Sequence, residues 1–176
     1  MAWRFARAQS SVEFAVQHLM VATVHGRFEE FDVDIDLDPD APTGAVVRAV
    51  IQAASIATGS EERDARLRST AFLDVERYPT ITFSSSQVAP LGAQGLWVRG
   101  NLTIRDTTKE IVLDGNVRGP VEPPGEPAVD IVLVIAIDRA DFLDNVPDVE
   151  DLFVGRTVLI TINAHLENID DGQPRS

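Results

Sequence analysis

Residues Ala53–Phe83 read AASIATGSEERDARLRSTAFLDVERYPTITF, and this stretch decides the fold. Within it, Ser60 is followed by acidic residues and then by arginines, the order of a capping hydroxyl, acids in the first helical turn and bases in the last. This order predicts a short helix over residues 60–69. From Thr80 to Ser84, polar and apolar residues alternate, which is typical of a β-strand, and the predicted strand extends to Val88. The helix is therefore expected in a connection between strands.

Most of the chain outside this stretch alternates with a period of two residues. In the predicted strand Ser11–His18, residues Val12, Phe14 and Val16 share one face. Turn-forming clusters such as Asp38–Pro42 separate this segment from others like it. The other predicted strands are His25–Phe31, Val33–Leu37, Ala45–Ala53, Thr80–Val88, Leu96–Arg105, Glu110–Val117, Val129–Asp138 and Arg156–Leu166. Many short strands joined by turns predict an all-β, antiparallel sandwich or barrel.

Two of the predicted strands are apolar on both faces. Val129–Ile137 reads VDIVLVIAI, and Arg156–Leu166 has valine and isoleucine on one face and Leu159 on the other. Such strands need cover on both sides. In a barrel, one face would line the lumen and the other would be covered by a helix, a terminal segment or a second subunit. Small barrels are filled by side chains or hold one small ligand, and periodicity alone favours the filled lumen.

The composition limits the classes of function. The chain has 176 residues, which suits one domain, and we assign it residues 1–168 with a short polar tail over 169–176. A formal net charge of −13 disfavours nucleic acid and anionic membrane surfaces as partners. The absence of cysteine excludes disulfides, zinc–thiolate sites and iron–sulfur clusters. The first seven residues lack the apolar core of a signal peptide, so we expect a cytoplasmic protein without stable membrane insertion.

No metal or cofactor site is indicated by the sequence. His18, His25 and His165 lack the tight spacing of metal ligands. His18 shares its predicted face with apolar residues and is expected to point inward, as a satisfied core histidine rather than a ligand contact. The acidic run Asp141–Asp151 lacks the glycine and the spacing of an EF-hand loop, so a solvated loop is the simpler interpretation.

Two basic positions leave alternatives open. Arg63 and Asp64 form either a local ion pair that pins the helical connection to the barrel, or part of a head-group site, or an acid–base site. The ion pair is the favoured interpretation. Lys109 lies in a predicted hairpin, where an exposed lysine is simpler than a phosphate contact.

The quoted stretch resembles the YceI-like family of polyisoprenoid-binding proteins. The matching elements are Ser55-Ile-x-Thr58-Gly, Arg63-Asp-x-x-Leu67-Arg-Ser and Phe72-x-Asp-x-Glu-x-Tyr-Pro79-x-Ile-x-Phe83. Gly100-x-Leu102-Thr-Ile and Arg139-x-Asp-Phe142 extend the resemblance, which runs from about Ser10 to Leu166. The chain departs from the family pattern at Gln9 and Arg66, where histidine is usual, and at Asp106 and Leu143, where glycine is usual.

This resemblance implies a lipocalin-like antiparallel eight-stranded β-barrel with a short helix in a connection. It also implies an apolar lumen that binds an isoprenoid or another long-chain lipid, no catalysis, no cofactor and a possible homodimer. The residues expected to line the lumen are Phe14, Val16, His18, Phe28, Phe31, Ile81, Phe83, Leu102, Leu113 and Ile160. The residues expected near a polar head group at the barrel mouth are Ser55, Thr58, Arg63, Arg66 and Arg68.

Two other functions remain open on the same barrel. One is a cofactor-free lipid isomerase or cyclase, and the other is a stress-related interaction protein whose lumen is filled by side chains. An enzyme would need a buried acid–base pair that faces the lumen. Glu13, Asp64 and His18 do not form a convincing pair, so we predict a binding protein rather than an enzyme.

Overall fold

A computed structural model of the chain describes residues 3–18, 22–36, 44–121, 128–143 and 154–168. This part of the chain is built mainly from eleven β-strands, with helix α1 (Glu61–Arg68) between the sixth and the seventh. The strands are β1 (Trp3–Phe5), β2 (Ser11–His18), β3 (Ala22–Phe28), β4 (Phe31–Asp36), β5 (Val46–Gln52), β6 (Ile56–Ala57), β7 (Thr80–Leu91), β8 (Gly95–Ile104), β9 (Thr107–Val121), β10 (Ala128–Asp138) and β11 (Val154–Asn168).

All the pairs in the sheet are antiparallel, and the strand order is β4-β5-β7-β8-β9-β10-β11-β2-β3-β6, with β1 added beside β11. One end of this order is β4, and the other end is the short β6 beside β3. β3 and β4 are consecutive in sequence, because β3 ends at Phe28 and β4 begins at Phe31. If β3 and β4 are counted as one bent strand and the short β1 and β6 are set aside, the described sheet has eight strands. The predicted lipocalin-like antiparallel barrel with a short helix in a connection is confirmed.

The bend between β3 and β4 was not predicted from the sequence, which indicated a continuous strand over His25–Phe31. The backbone leaves the ladder at Glu29 and Glu30 and is held there by the connection that follows β5. The Glu29 amide donates to the carbonyl oxygen of Ser55 (3.1 Å), and the Gln52 amide donates to that of Glu30 (2.9 Å). The bend lets one strand pair with β2 on one side and with β5 on the other.

Two hairpin turns explain why β7 and β9 are longer than predicted. β7 continues through the predicted turn at Ala89–Gly92 as far as Leu91, and the chain reverses at Gly92, whose φ of +70° suits glycine. The turn between β8 and β9 is tighter and contains Arg105, with a φ of +55°. The predicted turn at Asp38–Pro42, the acidic loop from residue 144 onwards and the tail over residues 169–176 lie outside the described residues.

Helix α1 forms as the sequence predicts, and its hydrogen bonds fix its position. The Ser60 hydroxyl accepts a hydrogen bond from the Arg63 amide (3.3 Å), which is the expected capping contact. At the other end of the helix, the Arg68 guanidinium donates to the carbonyl oxygens of Ala54 (2.8 Å) and Ile56 (3.1 Å). These bonds attach α1 to β6 and thereby to the edge of the sheet.

The interior of the barrel is packed solidly in one half. This half lies where β8 begins and β11 ends, and its side chains are at most 4% exposed: Val88, Leu96, Val98, Val129, Leu133 and Leu166. On the outer face, Leu159 of β11 is 43% exposed, so the described residues do not supply the cover that its two-sided apolar pattern predicts. The other half of the interior is less completely filled.

Candidate functional site

An apolar cavity of about 170 Å³ lies in the second half of the barrel, where β8 ends and β11 begins. Nine of the described strands contribute to its wall, because the inward face of each carries valine, leucine, isoleucine or phenylalanine. The wall includes most of the residues that were predicted to line the lumen, namely Phe14, Val16, Phe28, Ile81, Phe83, Leu102, Leu113 and Ile160.

Two of the phenylalanines on this wall lie against glycines of the neighbouring strands. Phe14 on β2 is directly opposite Gly26 on β3, and a β-carbon on Gly26 would overlap the phenylalanine ring. The ring of Phe83 on β7 lies in the same way against Gly100 on β8. Glycine within a strand permits such a close approach, because no side chain separates the ring from the backbone. Both rings therefore occupy fixed positions at the wall of the lumen.

The last two residues of α1 and the chain that follows them cover the cavity, and we call residues 67–79 the cover segment. It contributes Leu67, Phe72 and Leu73 to the wall. Arg105, in the turn between β8 and β9, donates from Nη1 to the carbonyl oxygen of Phe72 (3.1 Å), and its guanidinium lies 5.6 Å from the centre of the Tyr78 ring. Sequence reasoning did not place these apolar side chains at the lumen, because the part of the cover segment beyond α1 has neither helical nor strand periodicity.

One of the described residues predicted for the lumen, Phe31, is not found on the wall. Phe31 is buried in the core but packs edge-on against Phe5 of β1, with ring centres 6.2 Å apart, and does not line the cavity. The prediction for Phe31 was wrong because Phe31, which lies opposite Ile51 of β5, packs against Phe5 instead of the cavity. The side chain of His18 lies outside the described part of the chain.

The polar residues predicted for the barrel mouth lie away from the cavity wall. The Ser55 hydroxyl donates to the carbonyl oxygen of Gln52 (2.6 Å), and Arg68 anchors α1 as described above. Thr58 donates from its amide (2.9 Å) and its hydroxyl (2.6 Å) to Oδ1 of the buried Asp64. These bonds hold the connection together.

The favoured interpretation of Arg63 and Asp64 as an ion pair is not what the structure shows. The partner of the Asp64 carboxylate is Thr58, and the Arg63 side chain is exposed on α1. Arg66 is exposed on the same helix and does not line the cavity. Sequence adjacency suggested the wrong partner, because α1 turns the two side chains to different faces.

Two charged residues, Glu13 and Arg139, are found along the cavity in the described structure. The Glu13 side chain is exposed on the outer face of β2. Arg139 is only 6% exposed, and its Nε donates to the carbonyl oxygen of Gly155 (3.4 Å) at the start of β11. Among the described residues, the surface that the wall exposes to a guest is therefore hydrocarbon, which suits an apolar chain.

The remaining histidines take part in surface contacts. Nδ1 of His165 lies 2.6 Å from Asp130 Oδ1, and His25 is exposed on β3. The described residues contain no group of three or more histidine and acidic side chains that could hold a metal ion. Among the described helices, none has the length and apolar character needed to cross a membrane.

Comparison with known proteins identifies relatives of the whole fold. The family model described as the YceI-like domain matches residues 3–166. A UPF0312 protein of Yersinia enterocolitica is 36% identical over 113 residues, which is 64% of this chain and 58% of the relative. Protein YceI of Salmonella newport is 35% identical over 113 residues, which is 64% of this chain and 59% of the relative. The matched region thus spans about three fifths of each curated relative.

Solved structures share the same architecture at low sequence identity. Burkholderia cenocepacia BcnA superposes with a TM-score of 0.84 at 23% identity, covering 92% of this chain and 99% of that protein. A polyisoprenoid-binding domain from Saccharophagus degradans superposes with a TM-score of 0.70 at 15% identity, covering 95% of this chain and 98% of that domain. These likenesses show a common fold.

Proposed function

This chain belongs to the YceI-like domain family, and on that basis we propose that its barrel binds an isoprenoid or another apolar lipid chain in the lumen as a carrier. The observation that carries the proposal is the cavity of about 170 Å³, whose wall is hydrocarbon. The likeness to a domain described as polyisoprenoid-binding supports the same ligand class.

The physical driving force is the transfer of an apolar chain out of water. Each methylene group buried in the lumen contributes about 0.8 kcal/mol. An apolar cavity of this kind stays dry and accepts apolar guests, and a guest restores the dispersion contacts that the lining side chains lack. Affinity can therefore arise without polar contacts inside the barrel, and a head group would remain outside the apolar wall.

A binding role fits the site better than either alternative. A barrel filled by side chains would have no space of this size beside its packed half. An isomerase or a cyclase would need an acid and a base facing the ligand. Of the described candidates, Glu13 lies on the outer face and the Asp64 carboxylate is bonded to Thr58. The proposed function is therefore binding without catalysis.

Native mass spectrometry of the purified protein, combined with organic extraction of what co-purifies, tests this function. We expect a bound apolar lipid, or an increase in Tm when isoprenoid alcohols are added to the stripped protein. Phe83→Arg, which puts a charge in the cavity wall, should abolish loading. The matched control is Val112→Arg on the exposed outer face of β9, which should load normally. Apo protein from several hosts, together with an unchanged Tm in the presence of isoprenoid alcohols, would refute the proposal.

A further inference from the structure

We infer that Phe14 and Phe83 limit the length of chain that the lumen accepts to about two isoprene units, so that the protein selects short prenyl groups or only the end of a longer one. This inference rests on the proposed function, since it concerns which apolar chains bind. It assigns these two residues a role in specificity.

The volume of the cavity limits the length of the chain that it can hold. An engineered apolar cavity of about 150 Å³ in another protein binds benzene, which has six carbons. By the same measure, the cavity of about 170 Å³ holds about seven carbons. One isoprene unit has five carbons, so the space ends within the second unit. Pockets that enclose a whole drug-sized ligand are larger, about 300–1,000 Å³.

The residues at the two ends of the cavity limit how far a bound chain can extend inside the barrel. Towards the packed half, Leu96, Val98 and Leu133 are 1–4% exposed and leave no continuation of the lumen. At the opposite end, Phe72 and Leu73 of the cover segment form part of the wall, and the cavity is partly open to the outside. A longer chain could therefore gain buried space only if side chains of the wall moved aside, and the rest of it would lie outside the cavity.

The rings of Phe14 and Phe83, each packed against a glycine of a neighbouring strand, cannot move towards the outside of the barrel. Each ring already lies against the bare backbone of the neighbouring strand, at Gly26 for Phe14 and at Gly100 for Phe83. Phe14 is also packed against Phe28, with ring centres 5.6 Å apart. Since protein interiors are close-packed, a ring supported by backbone on one side can yield only into the lumen. Both rings therefore act as fixed limits.

Removing one ring should lengthen the accepted chain by a predictable amount. Phe83→Ala deletes six ring carbons, as many as benzene has, and so adds about 150 Å³ of space. The cavity would about double from its present 170 Å³ or so. The additional space corresponds to about one further isoprene unit.

The test is a competition between prenols of increasing length, namely prenol, geraniol, farnesol and geranylgeraniol, monitored by native mass spectrometry. For the wild-type protein, we expect Kd to fall on the order of 10-fold from the five-carbon to the ten-carbon alcohol, since about two further carbons are buried, and to change little beyond it. The chain length beyond which Kd no longer falls is the plateau. In Phe83→Ala and in Phe14→Ala, this plateau should move to the fifteen-carbon alcohol. The matched control is Phe31→Ala. Phe31 is as deeply buried as Phe83, with 5% and 6% of the residue exposed, but it does not line the cavity. Its plateau should stay at ten carbons.

The possible outcomes separate the two proposals. If the wild-type protein binds none of the four alcohols, the proposed function fails. If it binds them with an affinity that keeps rising to the twenty-carbon alcohol, binding stands and the length limit fails. If Phe31→Ala shifts the plateau as far as Phe83→Ala does, general loosening of the core is responsible and the assignment to these residues fails. Should both cavity variants fail to fold, Phe83→Leu, which removes less volume, gives the same comparison with a smaller shift.

Discussion

Replacement of Arg105 by alanine should loosen the cover segment without unfolding the barrel. The hydrogen bond from Arg105 Nη1 to the Phe72 carbonyl oxygen contributes about 1.5–3 kcal/mol as a bond from a charged donor, and the contact with the Tyr78 ring adds about 0.5–1 kcal/mol. Against this, Arg105 Nε is buried and has no hydrogen-bond partner among the described residues, which costs about 1–3 kcal/mol. The substitution should therefore reduce the free energy that holds the cover segment in place by about 1 kcal/mol.

A loss of this size corresponds to an increase of about fivefold in the fraction of molecules with the cover open. Hydrogen–deuterium exchange measures that fraction at amides bonded within the cover segment. The Leu73 amide donates to the Leu67 carbonyl oxygen (3.0 Å), and the Tyr78 amide donates to that of Asp74 (2.9 Å). We expect these amides to exchange about fivefold faster in Arg105→Ala, while the amides of β10 and β11 keep their protection. Dissociation of a bound prenol should accelerate by a similar factor.

The matched control for this experiment is Arg99→Ala. Arg99 lies over the Trp97 ring at 5.3 Å, so its substitution also removes a cation–π contact, but away from the cover segment. Exchange in the cover segment should be unchanged in this variant. If Arg105→Ala leaves the Leu73 and Tyr78 amides as protected as in the wild type, Arg105 does not hold the cover and the reasoning is wrong.

Two further substitutions test the packing with internal controls. Gly26→Ala should lower the free energy of unfolding by about 1–3 kcal/mol in urea titration, because the added methyl forces a lumen ring inwards, and it should weaken prenol binding. In the control Gly44→Ala, the added methyl group enters open space, so the free energy of unfolding should change by less than about 0.5 kcal/mol. Equal effects at both glycines would contradict the packing argument. Leu166→Ala should cost about 2–5 kcal/mol, whereas Leu159→Ala on the same strand should cost less than about 1 kcal/mol, as judged by the shift in Tm.

The parts of the fold that the sequence predicted correctly depend on local patterns. The alternation in Ser11–His18 gives both the bounds of β2 and the inward face with Phe14 and Val16. The capping serine and the charge order around Ser60 give helix α1. In each case, the residues that determine the structure are neighbours in the chain, so one sequence is enough to identify them.

The parts that the sequence did not predict depend on contacts between distant residues. The bend at Glu29–Glu30 is held by Ser55 and Gln52, more than twenty residues away, and beyond it Phe31 pairs with Ile51 of β5. The cover segment takes its place through Arg105, which lies 33 residues beyond Phe72. No local periodicity reports such contacts, and the role of the cover segment was therefore missed.

The two-residue strand β6 has a consequence for self-association. It pairs with Arg27 and Phe28, the last residues of β3, at the end of the sheet order. A strand at the end of a sheet offers its unpaired backbone groups to strands of other molecules unless it is covered or charged. β6 occupies part of that edge, and the ion pair between Arg27 and Glu29 (3.1 Å) places charges beside it. A chain that lost β6 would expose all of β3 to addition of a foreign strand, so this short element protects solubility as well as shape.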